Sequence, residues 1–498
     1  MPKTTRAPSA SKAGEAKINR IRWPQTILLF ILFVVIIREL YYWSAVPVIY
    51  RAVLALVSLV VVGEMLIRIN GFLRLTAGIY MVRSLLGLKR MDLIARKHPR
   101  FWNALADWGM VMGFGILAYV FFRKDISRKS IVFGIISLVF VLFFVIPQSL
   151  LAFSFLNLPQ ITSRVQSGAS AGAGGISYLG IVIYALSIFG GFVLYVIAAL
   201  AYNAATVVYG IVLALAGIIT TGTPNYTGVS SSIPGVAPII PGITIPLSAG
   251  LLAFAVVIIF HEFSHGILAR ISKVRVNSSG LLMYGIIPIG AFVEPEEKSI
   301  GRLSRKEQNR ISVAGVSANM LIALIMAVPM LLLYLYVMPH LYSSYVYIQG
   351  TVPGSAASVM KPGSAIIKWD GYAVNSISDF KIAARNDTAG AVIPVVTSNG
   401  TYSLTANSTG KVGVYVVQGV LLGAGVMGSA ISFAYTFFSL AFLLSLFIAL
   451  VNYLPLPSFD GWRIFNASIK NKRLVNYITA FVILVIILNA LPWLWILF

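Results

Sequence analysis

The chain has 498 residues, 58% of them hydrophobic and only 11% charged, and its net charge is +23, from 38 Lys+Arg against 15 Asp+Glu. Soluble domains carry about 25% charged residues, so this composition excludes an ordinary soluble globule and turns most of the surface toward lipid. The basic residues lie in short loops between apolar runs, which reads as membrane topology and argues against nucleic-acid binding.

No cysteine is present. Disulfides and thiolate metal sites are therefore excluded, and a metal has only His, Asp or Glu to use.

Residues 1–22 are polar and carry Lys3, Arg6, Lys12, Lys17, Arg20 and Arg22. They predict a disordered basic cytoplasmic tail with no cleavable signal peptide. Residues 23–246 predict a multi-span membrane region, with apolar runs at 24–42, 47–67, 102–122, 131–156, 178–201 and 203–221. Arg38, Glu39, Arg51 and Glu64 interrupt the first two runs. Residues 68–100 are basic and partly apolar, as an interfacial or re-entrant segment is. Residues 158–177 and 222–246 are rich in small residues and read as loops.

Further runs at 247–271, 312–338, 424–451 and 474–497 bring the count to ten, within a range of about 9–11 transmembrane helices. The clusters Arg270, Lys273, Arg275; Lys298, Arg302, Arg305, Lys306, Arg310; and Lys470, Lys472, Arg473 belong on the cytoplasmic side. Residues 343–417 and the C-terminus then fall outside. A cytoplasmic N-terminus and an external C-terminus require an odd number of crossings, not ten. Basic clusters at 89–100 and 123–129 also flank the single run 102–122, so one of the first six runs is not a crossing.

Residues 343–417 alternate Val, Ile and Tyr with Gly, Asn, Ser and Thr, the pattern of a small β-rich domain. The fold class expected is a polytopic α-helical membrane protein with this domain inserted.

The chemistry concentrates in His261-Glu262-Phe263-Ser264-His265, at the end of an apolar run. Histidines four apart share one helix face and can hold one metal ion, with Glu262 beside them as a base on water. A charged side chain in mid-bilayer costs about 2.5–3.5 kcal/mol on insertion scales, so such a cluster in an apolar helix needs compensation. A catalytic zinc wants three protein ligands. Asp460 is the candidate third, at the end of Asn452-Tyr-Leu-Pro455-Leu-Pro457-Ser-Phe-Asp460-Gly461. Asp-Gly is also an ordinary turn dipeptide. The segment 281–293 is too short and too broken by Gly and Pro to span. It reads either as a re-entrant strand or hairpin whose edge accepts an unwound substrate, or as a loop packed on the core.

The pairing of His261-Glu262-x-x-His265 with Asn452-x-x-Pro455-x-Pro457-x-x-Asp460-Gly461 resembles the site-2 protease family of intramembrane zinc metalloproteases. Ser312-Val-Ala-Gly315-Val-Ser-Ala-Asn319 resembles that family's small-residue stretch ending in Asn. Residues 346–416 resemble a PDZ domain. The resemblance covers about 247–497. It implies a metalloprotease core in two parts, 247–342 and 418–498, around a PDZ-like domain at 343–417. It implies one zinc ion on His261, His265 and Asp460, Glu262 as general base, and Asn319 as a stabiliser of the oxyanion. Ser317 and Phe459 stand where Pro and Leu are usual.

The substrates implied are transmembrane proteins in a lipid bilayer, cut in regulated intramembrane proteolysis with no nucleic acid involved. The expected location is the cell membrane, with the active site toward the cytoplasm and the PDZ-like domain outside. A transporter with a His/Glu/Asp relay and an inactive metal-binding scaffold are the competing readings.

Overall fold

A computed structural model describes residues 21–44, 46–152, 178–222, 245–338, 342–352, 354–422 and 426–497. Most of the expected N-terminal tail and of the two small-residue loops lies outside these residues. The chain divides into two compact units. The larger comprises the helical body and a four-stranded sheet; the smaller contains a six-stranded sheet.

Among the described residues, eight helices are long and apolar enough to cross a membrane. The protein is an integral membrane protein of mostly helical fold. The first two helices are α1 (Trp23–Tyr42) and α2 (Val48–Asn70), and two of the charges in α2, Arg51 and Glu64, are satisfied locally. Arg51 donates to the carbonyls of Leu40 and Tyr41 at the end of α1 (3.5 and 2.8 Å). Glu64 pairs with Arg74 (3.1 Å) and accepts the Gly78 amide (2.9 Å).

Those two contacts lead into a feature that composition concealed. Residues 73–84 form a hairpin, β1 (Leu73–Thr76) and β2 (Ile79–Ser84). It joins β3 (Val276–Tyr284) and β4 (Ile287–Pro295) in one antiparallel sheet of order β1-β2-β3-β4. The segment 281–293 is therefore a strand hairpin. Helix α2 lies directly on the β1–β2 turn, where a Cβ at Gly63 would stand 2.6 Å from the Gly78 carbonyl oxygen. The Tyr80 hydroxyl donates to the Gly285 carbonyl (2.8 Å), and the Gly285 amide donates to the Gly78 carbonyl (2.9 Å). Both hairpin tips are thus tied together.

Amphipathic α3 (Leu88–Lys97) follows, then α4 (Pro99–Phe114) and α5 (Leu117–Phe122). The run 102–122 is not a single spanning helix, because Gly115 takes φ 55°, ψ −135° and breaks it. Helix α11 (Arg305–Leu332) shows where the chain then goes. Arg310 clamps the Asp107 carboxylate through two hydrogen bonds (2.8 and 2.6 Å). Arg305 pairs with Asp125 (2.7 Å). Arg305 and Arg310 lie little more than a turn apart, so residues 107 and 125 meet the same end of α11. The two ends of 102–122 therefore meet the same end of α11, and this run is not among the eight candidate spans.

Helix α4 is buried along its second half and packs by two glycines four apart. A Cβ at Gly109 would collide with Ser317 Oγ at 1.9 Å, and one at Gly113 with the Tyr453 ring at 2.3 Å. Small residues at this spacing let helices approach closely in a membrane. The Tyr453 hydroxyl donates to the Gly109 carbonyl (2.6 Å).

After α6 (Arg128–Phe140) and α7 (Ile146–Ala152), the expected runs 178–201 and 203–221 form one element, α8 (Tyr178–Thr221). Its 44 residues would extend about 66 Å, twice the hydrocarbon thickness. The interruption falls at Gly191 (φ 63°, ψ −160°), not at the expected boundary near 202. Gly191 packs on the backbone of Gly113, where a Cβ would have no room. The metal-motif run is α9 (Leu247–Ile271), and a short α10 (Glu297–Ile300) leads into α11.

The smaller unit has strands β5 (Tyr342–Thr351), β6 (Ala365–Trp369), β7 (Tyr372–Ala373), β8 (Val392–Thr397), β9 (Gly400–Thr405) and β10 (Val414–Leu422), with α12 (Ile377–Ala383). The sheet runs β10-β5-β6-β8-β9, with β7 on β6. Val346, Ile348, Trp369, Ile393, Val395 and Leu404 fill its core. The Trp369 indole donates to Asp387 (3.0 Å). The body closes with α13 (Val426–Asn452), α14 (Asp460–Ser468) and α15 (Lys472–Leu497).

The Arg310–Asp107 pair is nearly enclosed, its side chains 18% and 10% exposed. Arg310→Ala leaves a buried carboxylate without its partner and should cost about 3–5 kcal/mol. Arg310→Ala with Asp107→Ala together should cost clearly less. Thermal unfolding of the purified variants in detergent measures both.

Candidate metal centre

Helix α9 presents His261, Glu262 and His265 within one turn and a little more, both histidines being buried. The apolar run before them supplies the helix, and Ser272 ends it. Asp460 opens α14 and is buried too. It is the first residue of a helix and not the corner of a tight turn. Gly461 follows because a Cβ there would stand 2.1 Å from the Tyr453 carbonyl oxygen. The preceding loop is held by the Thr479 hydroxyl, which donates to the Pro455 carbonyl (2.8 Å), and passes through Ser458 at φ 74°.

These elements bring His261, His265 and Asp460 together. The two Nε2 atoms are 3.4 Å apart. Asp460 Oδ2 lies 3.4 Å from the Nε2 of His261 and 3.2 Å from that of His265. Tetrahedral zinc with bonds of about 2.0–2.1 Å sets its ligand atoms about 3.3–3.4 Å apart, so this triangle matches the edge of such a polyhedron.

The far side of each ring shows which nitrogen is free. His265 Nδ1 lies 2.7 Å from the Ile311 carbonyl, which only accepts, so Nδ1 carries the proton and Nε2 offers its lone pair. His261 Nδ1 lies 3.0 Å from the Asn319 amide group. Asn319 is fully buried and its Oδ1 as placed has no partner. Turning the carboxamide over lets Oδ1 accept from Nδ1–H, which satisfies both groups and leaves His261 Nε2 free for a metal. Asp460 Oδ2 is likewise buried with no hydrogen-bond donor. Three lone pairs then meet at one point, and a cation is what that point accepts.

Space for it comes from α11. A Cβ on Gly315 would lie 2.5 Å from the Nε2 atoms of both histidines. Here the small-residue stretch 312–319 has its physical reason: Gly315 opens the gap, and Asn319, one turn on, holds the ring.

Glu262 faces the sheet. Its carboxylate accepts the Val293 amide of β4 (3.2 Å). Strand β4 is an edge of the sheet, with β3 on its other side. The next residue, Glu294, is held by Arg83 of β2 (2.5 Å) and by the Ser278 hydroxyl of β3. Sequence reasoning missed this support from residues 73–84, as it missed Ile311 and the buried face of α4. A signal did exist for the hairpin: Leu73-Arg-Leu-Thr-Ala-Gly78-Ile-Tyr-Met-Val-Arg83 alternates apolar and polar residues around a glycine.

The fold and this site define a polytopic membrane protein whose body encloses a two-histidine, one-aspartate candidate metal centre. The family model of peptidase family M50 matches residues 249–492. That segment, just under half of the chain, is thus similar to this family, the site-2 protease family. An uncharacterized protein of Methanocaldococcus jannaschii is 31% identical over 233 residues, which are 46% of this chain and 60% of that relative. The alignment thus spans less than two thirds of the relative's length.

Gly315→Ala puts a methyl group where the three donors converge. It should abolish metal retention while the protein still elutes as a folded species, as metal analysis after size exclusion would report. Asn319→Ala should keep the metal but weaken it by about 10–100-fold against a competing chelator.

Proposed function

We propose that the chain is a zinc endopeptidase that hydrolyses peptide bonds in or near the transmembrane segments of membrane-anchored proteins. The observation that carries this reading is the donor triangle of His261, His265 and Asp460, with Gly315 leaving room at its centre. The match of residues 249–492 to family M50 supports it.

In this reading His261, His265 and Asp460 hold the zinc, which when bound supplies Lewis acidity toward water and the scissile carbonyl. Glu262 takes a proton from the attacking water and hands it to the leaving amine. Asn319 is a positioning residue for His261. We prefer this to the oxyanion contact that the resemblance implied, because its carboxamide is engaged by the imidazole.

A peptide in helical form hides its carbonyls, so the substrate must be extended. The outer edge of β4 offers backbone pairing beside Glu262, with Ala291 presenting its backbone to the same side as Val293. The six-stranded domain acts as a PDZ-like element, by peptide binding or size filtering. The cell membrane, with the metal centre toward the cytoplasm and that domain outside, fits the basic loops. Release of a membrane-held factor by regulated proteolysis is the physiological role that follows.

The test pairs zinc content with cleavage of a single-span substrate, for wild type and Glu262→Ala. Both should hold zinc, and the variant should lose about two to four orders of magnitude in rate. Folded wild type without zinc would overturn the reading and favour a transporter.

A further inference from the structure

The body contains an apolar cavity along α14, beginning one turn beyond Asp460. Its volume is about 270 Å³, and its lining is almost wholly apolar. Phe121 and Phe122 of α5, Val193 and Ile197 of α8, Ile464 of α14 and Leu474 of α15 form its wall. Phe121 and Leu474 are exposed and mark the mouth, whereas Phe122, Val193 and Ile464 are buried and mark the floor. An apolar cavity of this size that opens on a membrane surface is suited to a hydrocarbon chain.

The mouth has a charge. Arg123 and Lys124 follow Phe122 directly. Lys470, Lys472 and Arg473 stand between Ile469 and Leu474, both cavity residues. All five are exposed, and among the described residues none forms an ion pair. Asp125, the acid beside them, is taken by Arg305. Lys472 is also the first residue of a candidate span, so this cluster lies where an apolar helix meets the membrane surface. Cations at that level beside an apolar slot complement a lipid with an anionic headgroup.

We propose that this cavity is a binding site for one anionic phospholipid, with an acyl chain between α5, α8, α14 and α15 and its phosphate against the five cations. Helix α14 makes the site consequential. It starts at Asp460 and reaches the cavity floor one turn later at Ile464, so a bound chain buttresses the helix that brings in the third candidate ligand. The effect on the metal centre rests on the proposed function; the binding itself does not.

The test uses the full-length protein reconstituted into vesicles of phosphatidylcholine, with or without phosphatidylglycerol. The protein is then re-extracted, and its retained lipids are measured by mass spectrometry. Wild type should retain phosphatidylglycerol in preference to phosphatidylcholine. Replacing Arg123, Lys124, Lys470, Lys472 and Arg473 together by Gln should lower that preference roughly tenfold or more. Ile197→Trp fills the cavity and should lower retention of both lipids. Inorganic phosphate should not displace the lipid. The proposal is overturned by a wild type without preference, by an unchanged preference in the Gln variant, by unchanged retention in Ile197→Trp, or by displacement with phosphate alone. Cleavage is not part of the readout, so failure here leaves the protease reading standing.

Discussion

Three electron pairs aimed at one point inside an apolar bundle repel one another unless a cation lies between them. The rest of the body is arranged around that constraint. His261 and His265 are committed to offering Nε2 because their other nitrogens face Asn319 and the Ile311 carbonyl. Both of these partners belong to α11, as does Gly315, which leaves the gap. One helix therefore sets tautomer, ring orientation and room at once. Lipid offers no water to satisfy a misplaced polar group, so the donors are supported entirely by protein.

The N-terminal half is part of this support. Helix α4 seats α11 at Gly109 and the Tyr453 loop at Gly113, and that loop sets Gly461 and hence Asp460. Arg83, from a hairpin far from the metal motif in sequence, grips Glu294 beside the strand residue that meets Glu262. The two helices α1 and α2 pack on that hairpin through Leu29, Phe33, Leu59, Val62 and Tyr80. The segment matched by the family model is thus braced by residues outside it.

Much of this was legible in the residues. The spacing of His261 and His265, the Pro-rich approach to Asp460 and the β-pattern of 343–417 each correspond to a local element, and local elements are what periodicity reports. What stayed hidden were long-range pairings. The strands 73–84 were hidden in a segment, 68–100, that read as interfacial because it is basic and partly apolar, while their partners lie some two hundred residues on. The run 102–122 counted as a crossing because hydropathy is blind to one glycine at positive φ. The break in α8 was placed near Asn203. That side chain in fact bonds Asn489 of α15, and the helix yields at Gly191.

The bond between the Val293 amide and Glu262 has a further consequence. While the outer edge of β4 is bare, this amide occupies one oxygen of the carboxylate. A strand laid along the edge seeks the same amide for its own carbonyl. Under the proposed function, a guest backbone that takes this amide releases the carboxylate assigned as the base. On the same reading, a bare edge leaves that carboxylate tied to Val293, and an occupied edge frees it.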